Sequence, residues 1–136
     1  MRLTNAHKLA AMLASRLSRV VPSTLGVRAH GHRVDVFDGN ECFPASAAAA
    51  IVDDSDGRSL EEKVEVASCA VLNGVQDAIA QALRAEWPVL PKGGMALPDA
   101  RCDGPRLHLW FGERAAPVVE LVPIELSEFR EGAERA

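Results

Sequence analysis

Two histidines, His30 and His32, are separated by a single residue and form the best metal-ligand motif in the chain. On a continuous strand, alternate residues share one face, so both imidazoles could bind the same ion. Gly31 lies between them and favours a tight turn, which would separate the two rings. Three later residues could add a ligand, but no spacing selects one: Asp35, Asp38 and Cys42. We therefore predict a polar hairpin tip with no metal and no other cofactor.

Three cysteines, Cys42, Cys69 and Cys102, are widely spaced and form no CxxC pair. A nucleophilic thiol needs a histidine beside it, and no local signature of such a pair surrounds Cys42 or Cys102. Cys69 falls in a helical pattern, where it is explained as a small buried side chain. An odd number of cysteines without a secretion signal favours reduced thiols and a cytoplasmic protein.

Acidic side chains cluster between residues 53 and 65, and paired carboxylates can bind Mg²⁺ or Ca²⁺ or transfer protons. The cluster consists of Asp53, Asp54, Asp56, Glu61, Glu62 and Glu65. Residues 53–57 fail the register of a calcium loop, and no helix precedes them. A turn, followed by negative charge at a helix N-terminus, explains the cluster without an ion.

An apolar sheet face is the feature to which the sequence gives most weight. The alternation in residues 106–111 places Leu107, Leu109 and Phe111 on one side of a strand and two other large side chains on the opposite side. The predicted interaction surface consists of His108, Trp110, Val118 and Val122. Such a face is too apolar to remain in water, so the first helix, a loop, a second copy or a partner protein must cover it.

The element that organises these residues is one long helix, predicted over about residues 59–87. Ser59 and Glu62 match a capping box, and Pro88 is expected to end the helix. Apolar residues recur at three- and four-residue steps and form one stripe: Leu60, Val64, Ala67, Val71, Val75, Ala78, Ile79 and Ala82. We expect this stripe to cover the inner face of the sheet.

A first helix is predicted from about Thr4 to Val21, with a basic face formed by Lys8, Arg16 and Arg19. A β-hairpin follows over residues 24–37. The alanines of residues 46–52 have helical propensity, but a third strand would continue the meander, and we favour the strand. A second hairpin is expected from residues 106–111 and 118–122, with the latter strand at an edge.

Residues 88–105 contain four prolines and three glycines and are predicted to be one long loop, while residues 130–136 form a frayed tail. The expected fold is a single α+β domain over residues 1–136. It has one antiparallel sheet of four to five strands, with the two helices packed on one face in a two-layer sandwich.

The chain has 136 residues and a net charge of −4, which argues against general nucleic-acid binding. The first 34 residues nevertheless carry six basic and no acidic side chains. This asymmetry fits a polyanion contact, or packing of the basic helix on acidic residues 35–65 of the same chain or of a second copy. No apolar run approaches the length of a membrane span, so a membrane is not an expected partner.

These features favour a non-enzymatic protein-binding or adaptor domain that acts as a homodimer and binds itself and another protein. The element order is similar to that of small secretion-chaperone-like α/β dimers, a resemblance of architecture only. One alternative is a small enzyme or ligand-binding domain with a pocket beneath residues 88–105 and a histidine as acid or base. A weaker alternative is polyanion binding by the basic first helix.

Overall fold

The computed structural model describes residues 3–129, and the predicted tail at 130–136 lies outside them. Within this described range two α-helices and seven strands follow one another, with a 3-10 helix at Ala48–Asp53 and another at Leu126–Glu128. The helices and strands are α1 Asn5–Leu17, β1 Gly26–His30, β2 Arg33–Asp38, β3 Glu41–Ser46, α2 Leu60–Leu83, β4 Pro98–Asp103, β5 Arg106–Glu113, β6 Ala116–Glu120 and β7 Ile124–Glu125.

Helix α1 is capped from two directions. The Thr4 hydroxyl accepts the amide of His7 at 3.1 Å, and the Asp53 carboxylate accepts the amide of Ala6 at 3.2 Å. Asp53, from the acidic cluster, therefore caps the first helix, which carries Lys8 and Arg16. The helix ends at Leu17, four residues before the predicted end at Val21.

Helix α2 begins as the sequence predicts and ends earlier. The Ser59 hydroxyl accepts the amide of Glu62 at 3.1 Å, and the Glu62 carboxylate accepts the amide of Ser59 at 3.0 Å, so the capping box is confirmed. The helix stops at Leu83, because Arg84 adopts a left-handed conformation with φ of 55°. The prediction that Pro88 ends it was wrong by four residues.

The first sheet is an antiparallel meander in the order β1-β2-β3. Gly31, with φ of 65°, lies in the two-residue turn between His30 and Arg33, which confirms the predicted hairpin. The third strand is present, but it occupies Glu41–Ser46. The strand prediction for residues 46–52 was wrong, because the alanines there form the 3-10 helix Ala48–Asp53.

The second sheet has the order β4-β5-β6, and β7 pairs with β5 beside β6. Strand β4 corrects the prediction that residues 88–105 form one loop, because Pro98–Asp103 pairs along β5 from Phe111 to Arg106. Strand β6 is an edge strand, as predicted. It contains Pro117, and Val118 forms a bulge opposite β5.

Helix α2 packs against strands of both sheets. It approaches β3 so closely at Gly74 that a Cβ atom there would lie 2.7 Å from the carbonyl oxygen of Ala45. Toward the second sheet, buried Gln76 donates from Nε2 to the carbonyl oxygen of Ala96 at 2.6 Å. Leu107, Leu109 and Phe111 are buried in the same hydrophobic core as the α2 stripe, as expected.

The α+β prediction is confirmed, with an N-terminal helix, a long helix and antiparallel strands. The strands divide into one sheet of three and one of four instead of the single sheet expected.

Candidate functional site

An open apolar groove of about 490 Å³ lies between the segment before β4 and the turn that joins β5 to β6. The first wall comes from the segment over residues 90–97 and the second from residues 112–118. The lining residues are Leu90, Pro91, Lys92, Met95, Leu97, Gly112, Glu113, Ala116 and Val118. Leu97 is 66 % exposed, more than any other large apolar residue of the described chain. Most exposed apolar side chains of soluble proteins are isolated, whereas these are grouped.

Backbone hydrogen bonds hold the first wall in place. The amide of Leu90 donates to the carbonyl oxygen of Gly94 at 2.8 Å, and the amide of Ala96 donates to that of Pro88 at 2.8 Å. Val89 and Met95 form an isolated antiparallel bridge. The segment is therefore an ordered wall, although it was predicted to belong to a loop.

Gly112 joins this wall to the sheet. Its amide donates to the carbonyl oxygen of Leu97 at 2.8 Å, and its φ of 105° is one that side-chain-bearing residues rarely adopt. A Cβ atom at this position would lie 3.1 Å from the amide nitrogen of Val118. The second wall therefore meets the first at a glycine that also packs closely on Val118.

The four residues of the predicted interaction surface lie in different environments in the structure. Val118 lines the groove, and Val122 is exposed next to Arg16, whose Nε donates to its carbonyl oxygen at 2.9 Å. Trp110 is only 5 % exposed, and His108 is half-buried. The structure therefore brings one of the four predicted residues to the groove.

Trp110 is covered within its own chain. Its indole N–H donates to the carbonyl oxygen of Gly112 at 3.1 Å, and the Arg114 guanidinium lies 5.3 Å from the ring centroid. Asp99 on β4 and Glu120 on β6 are its direct cross-strand partners. This face of the sheet is more charged than the alternation along β5 alone indicates.

The basic face of α1 largely binds the C-terminal segment. Arg16 donates to the carbonyl oxygens of Val122 at 2.9 Å and Pro123 at 3.2 Å, and Lys8 donates to that of Glu128 at 3.3 Å. Burial lowers the pKa of Arg16 from its ordinary value, and neighbouring Arg19 lowers it further. Lys8 and Arg16 are half-buried and only Arg19 of the three predicted basic residues is exposed, which weakens the polyanion interpretation.

The histidines are not brought together as an HxH site. His32 lies against His7 of α1, with ring centroids 6.3 Å apart, while His30 lines a separate pocket of about 300 Å³ with Arg28, Asp35 and Phe37. Within residues 3–129, no group of three His, Cys, Asp or Glu side chains is placed to hold a metal ion. The lining of the apolar groove includes no histidine, so the proposed acid–base residue is not at that pocket.

Two of the thiols are in environments that oppose ionisation. Partial burial and the carboxylates of Glu65 and Glu61 raise the pKa of Cys102 to about 12. Burial also raises the pKa of Cys69, whose thiol contacts the carbonyl oxygen of Pro98 at 3.7 Å. Cys42 is exposed on β3.

The carboxylates of residues 53–65 make structural contacts. Beyond the caps formed by Asp53 and Glu62, the Arg58 guanidinium bonds to Asp56 and lowers the pKa of that carboxyl to about 2. Glu65 accepts the amide of Cys102 at 2.7 Å and so satisfies one backbone donor of β4.

No protein family, curated protein or solved structure matches this chain. No helix within residues 3–129 is long and apolar enough to cross a lipid bilayer. A pocket beneath residues 88–105 was predicted as part of one alternative function, and residues 90–97 of that segment line the groove. The second wall at residues 112–118 was not predicted from the sequence, because it depends on how β5 and β6 pair.

Proposed function

We propose that this chain is a non-enzymatic protein-binding domain of the adaptor or chaperone-like kind, that it works as a homodimer, and that a second copy docks in the apolar groove. The observation that carries the proposal is the grouping of apolar side chains along an open groove of about 490 Å³. Docking of another protein surface removes these apolar groups from water, and this burial lowers the free energy of the complex.

The composition of the lining supports docking in preference to chemistry. Seven of the nine lining residues are apolar or glycine, and Lys92 and Glu113 are the only ones that carry a charge. An apolar centre with a few charges at its border is the arrangement common in protein interfaces.

Leu97 supports a second copy as the occupant. It lines the groove and its side chain is largely exposed, so the same surface offers both an exposed apolar side chain and an apolar recess. A surface that docks on its own copy must contain both halves of each contact. An ordinary interface buries about 800 Å² on each partner, about a tenth of this chain's 7526 Å².

The test is the solution mass by size-exclusion chromatography with light scattering at about 100 μM, well above typical Kd values of specific dimers. We expect twice the 14.6 kDa of one chain. Leu97→Asp should raise the dimer Kd about 30-fold or more, since it places a charge in the apolar contact.

Val66→Asp is the matched control, because Val66 is 44 % exposed on α2 and does not line the groove. This variant should remain dimeric. A monomeric wild-type protein would overturn the proposal, and so would a dimer that Val66→Asp dissociates while Leu97→Asp does not.

A further inference from the structure

We infer that the two copies dock about a two-fold axis through the groove, so that Lys92 of each protomer forms an ion pair with Glu113 of the other. This inference rests on the proposed homodimer and adds its arrangement and its specificity determinants. The observation behind it is the placement of two opposite charges at an otherwise apolar surface.

Lys92 and Glu113 come from the two walls of the groove, one from the segment before β4 and one from the end of β5. Both are exposed, and neither forms an ion pair or a side-chain hydrogen bond with any residue among 3–129. Elsewhere on this sheet Arg106 bonds to Glu125 at 2.8 Å. The two charges at the groove are therefore free to pair with a docked chain.

In a two-fold dimer the second copy supplies the opposite charge for both residues. In such an interface, if residue i contacts residue j of the other copy, then residue j contacts residue i of that copy. One copy therefore brings an acidic group to Lys92 and a basic group to Glu113 at once. An unrelated partner would need both charges in matching positions.

The apolar groove also determines how much these ion pairs contribute to the binding of the two copies. Fully exposed ion pairs contribute little, because water screens them. At the border of a docked apolar surface the water is partly excluded, so the attraction strengthens and the wrong pairing of like charges is penalised. The two pairs are therefore expected to fix the relative orientation of the copies.

The experiment is charge reversal at the two positions, measured as the dimer Kd by sedimentation equilibrium. Lys92→Glu creates two acidic pairs per dimer and Glu113→Lys two basic pairs, so each should raise the Kd by about tenfold. The double variant restores opposite charges and should return to within about threefold of the wild-type Kd.

Mixing the two single variants gives the most specific result. Across a two-fold interface, the Lys92→Glu chain offers two acidic groups and the Glu113→Lys chain offers two basic ones. A heterodimer of the two should form with an affinity near that of the wild type, although each variant alone associates weakly. An interaction confined to one chain would give no such rescue.

Arg19→Glu and Glu41→Lys are matched controls, since both positions are exposed, lie away from the groove and produce the same changes in net charge. They should leave the Kd unchanged. If the reversals at Lys92 and Glu113 also leave it unchanged while Leu97→Asp still dissociates the dimer, the two-fold pairing is wrong and the proposed function stands. A failure of the mixed variants to heterodimerise would likewise overturn the pairing.

Discussion

The amide of Gly112 donates a 2.8 Å hydrogen bond to the carbonyl oxygen of Leu97, and the Gly112 carbonyl accepts the indole N–H of Trp110. One glycine of the second wall therefore connects to the first wall through Leu97 and to the large aromatic residue on the outer sheet face. Because the residue has no side chain, Val118 can approach it closely enough for the groove to form.

Replacing Gly112 by alanine should destabilise the fold by about 2–3 kcal/mol, from an unfavourable φ and from contact of the new Cβ with Val118. Urea unfolding measures this loss. Gly93→Ala is the control, because Gly93 has a similar φ of 93° but no atom within 4 Å of its Cβ position. Equal losses for the two variants would show that the contact with Val118 has no effect.

Gly74→Ala should destabilise the protein although alanine is the better helix former. Alanine in a helix interior ordinarily gains about 1 kcal/mol over glycine. Here its Cβ would meet backbone and side chain of β3, so we expect a net loss of about 1–3 kcal/mol by thermal or urea unfolding. Asn73→Ala, at the exposed neighbouring position, should change stability by less than about 0.5 kcal/mol. A stabilised Gly74→Ala would contradict the close packing of α2 on β3.

Arg16→Met should loosen the connection between β6 and β7. It retains the apolar stem of the side chain but removes the donors to Val122 and Pro123, at a cost of about 1–2 kcal/mol. Hydrogen exchange should accelerate at residues 121–126. Arg19→Met removes an equal charge two residues beyond the end of α1 without removing those bonds. Unchanged exchange in both variants would refute the role given to Arg16.

The three thiols should react at very different rates with an aromatic disulfide reagent at pH 8. Because its pKa is about 12, Cys102 holds only about one thiolate in 10⁴ at that pH. Its reaction should quicken only as the pH rises toward that value. Exposed Cys42 should react first, and Cys42→Ser should remove the fast phase. A fast phase that survives in Cys42→Ser would show that Cys69 or Cys102 is more accessible than described.

Trp110→Asp should unfold or strongly destabilise the domain, by about 3 kcal/mol or more, because the ring is 5 % exposed. The sequence alone predicts instead that this change disrupts association and leaves the fold intact. Val118→Asp, at an exposed position in the groove, should give the latter result. Circular dichroism and light scattering on both variants distinguish the two outcomes.

Local signals in the sequence were sufficient to predict the start of α2 and its buried apolar stripe. The hydroxyl of Ser59, the carboxylate of Glu62 and the spacing of the apolar stripe all act within a few residues of each other, so no tertiary information was needed. The end of the helix depended instead on the left-handed backbone of Arg84, a conformation for which an arginine carries no sequence signal.

Strand β4 could not be predicted, because its residues are poor strand formers and include Pro98, Asp99 and Asp103. It exists because β5 supplies a paired neighbour along its whole length. The pairing of β5 with its neighbouring strands was also needed to describe the surroundings of Trp110. Alternation placed the ring on the outer face correctly, but only the register reveals Asp99 and Glu120 beside it.

Strand β6 has a consequence for the size of the proposed assembly. An edge strand with free backbone groups can recruit further strands without limit and grow into fibrils. Pro117 lacks an amide hydrogen, and the bulge at Val118 disrupts the regular ladder that an incoming strand would extend. Growth by strand addition is therefore obstructed beside the groove. The proposed docking through side chains across a two-fold axis would close at two copies instead of propagating.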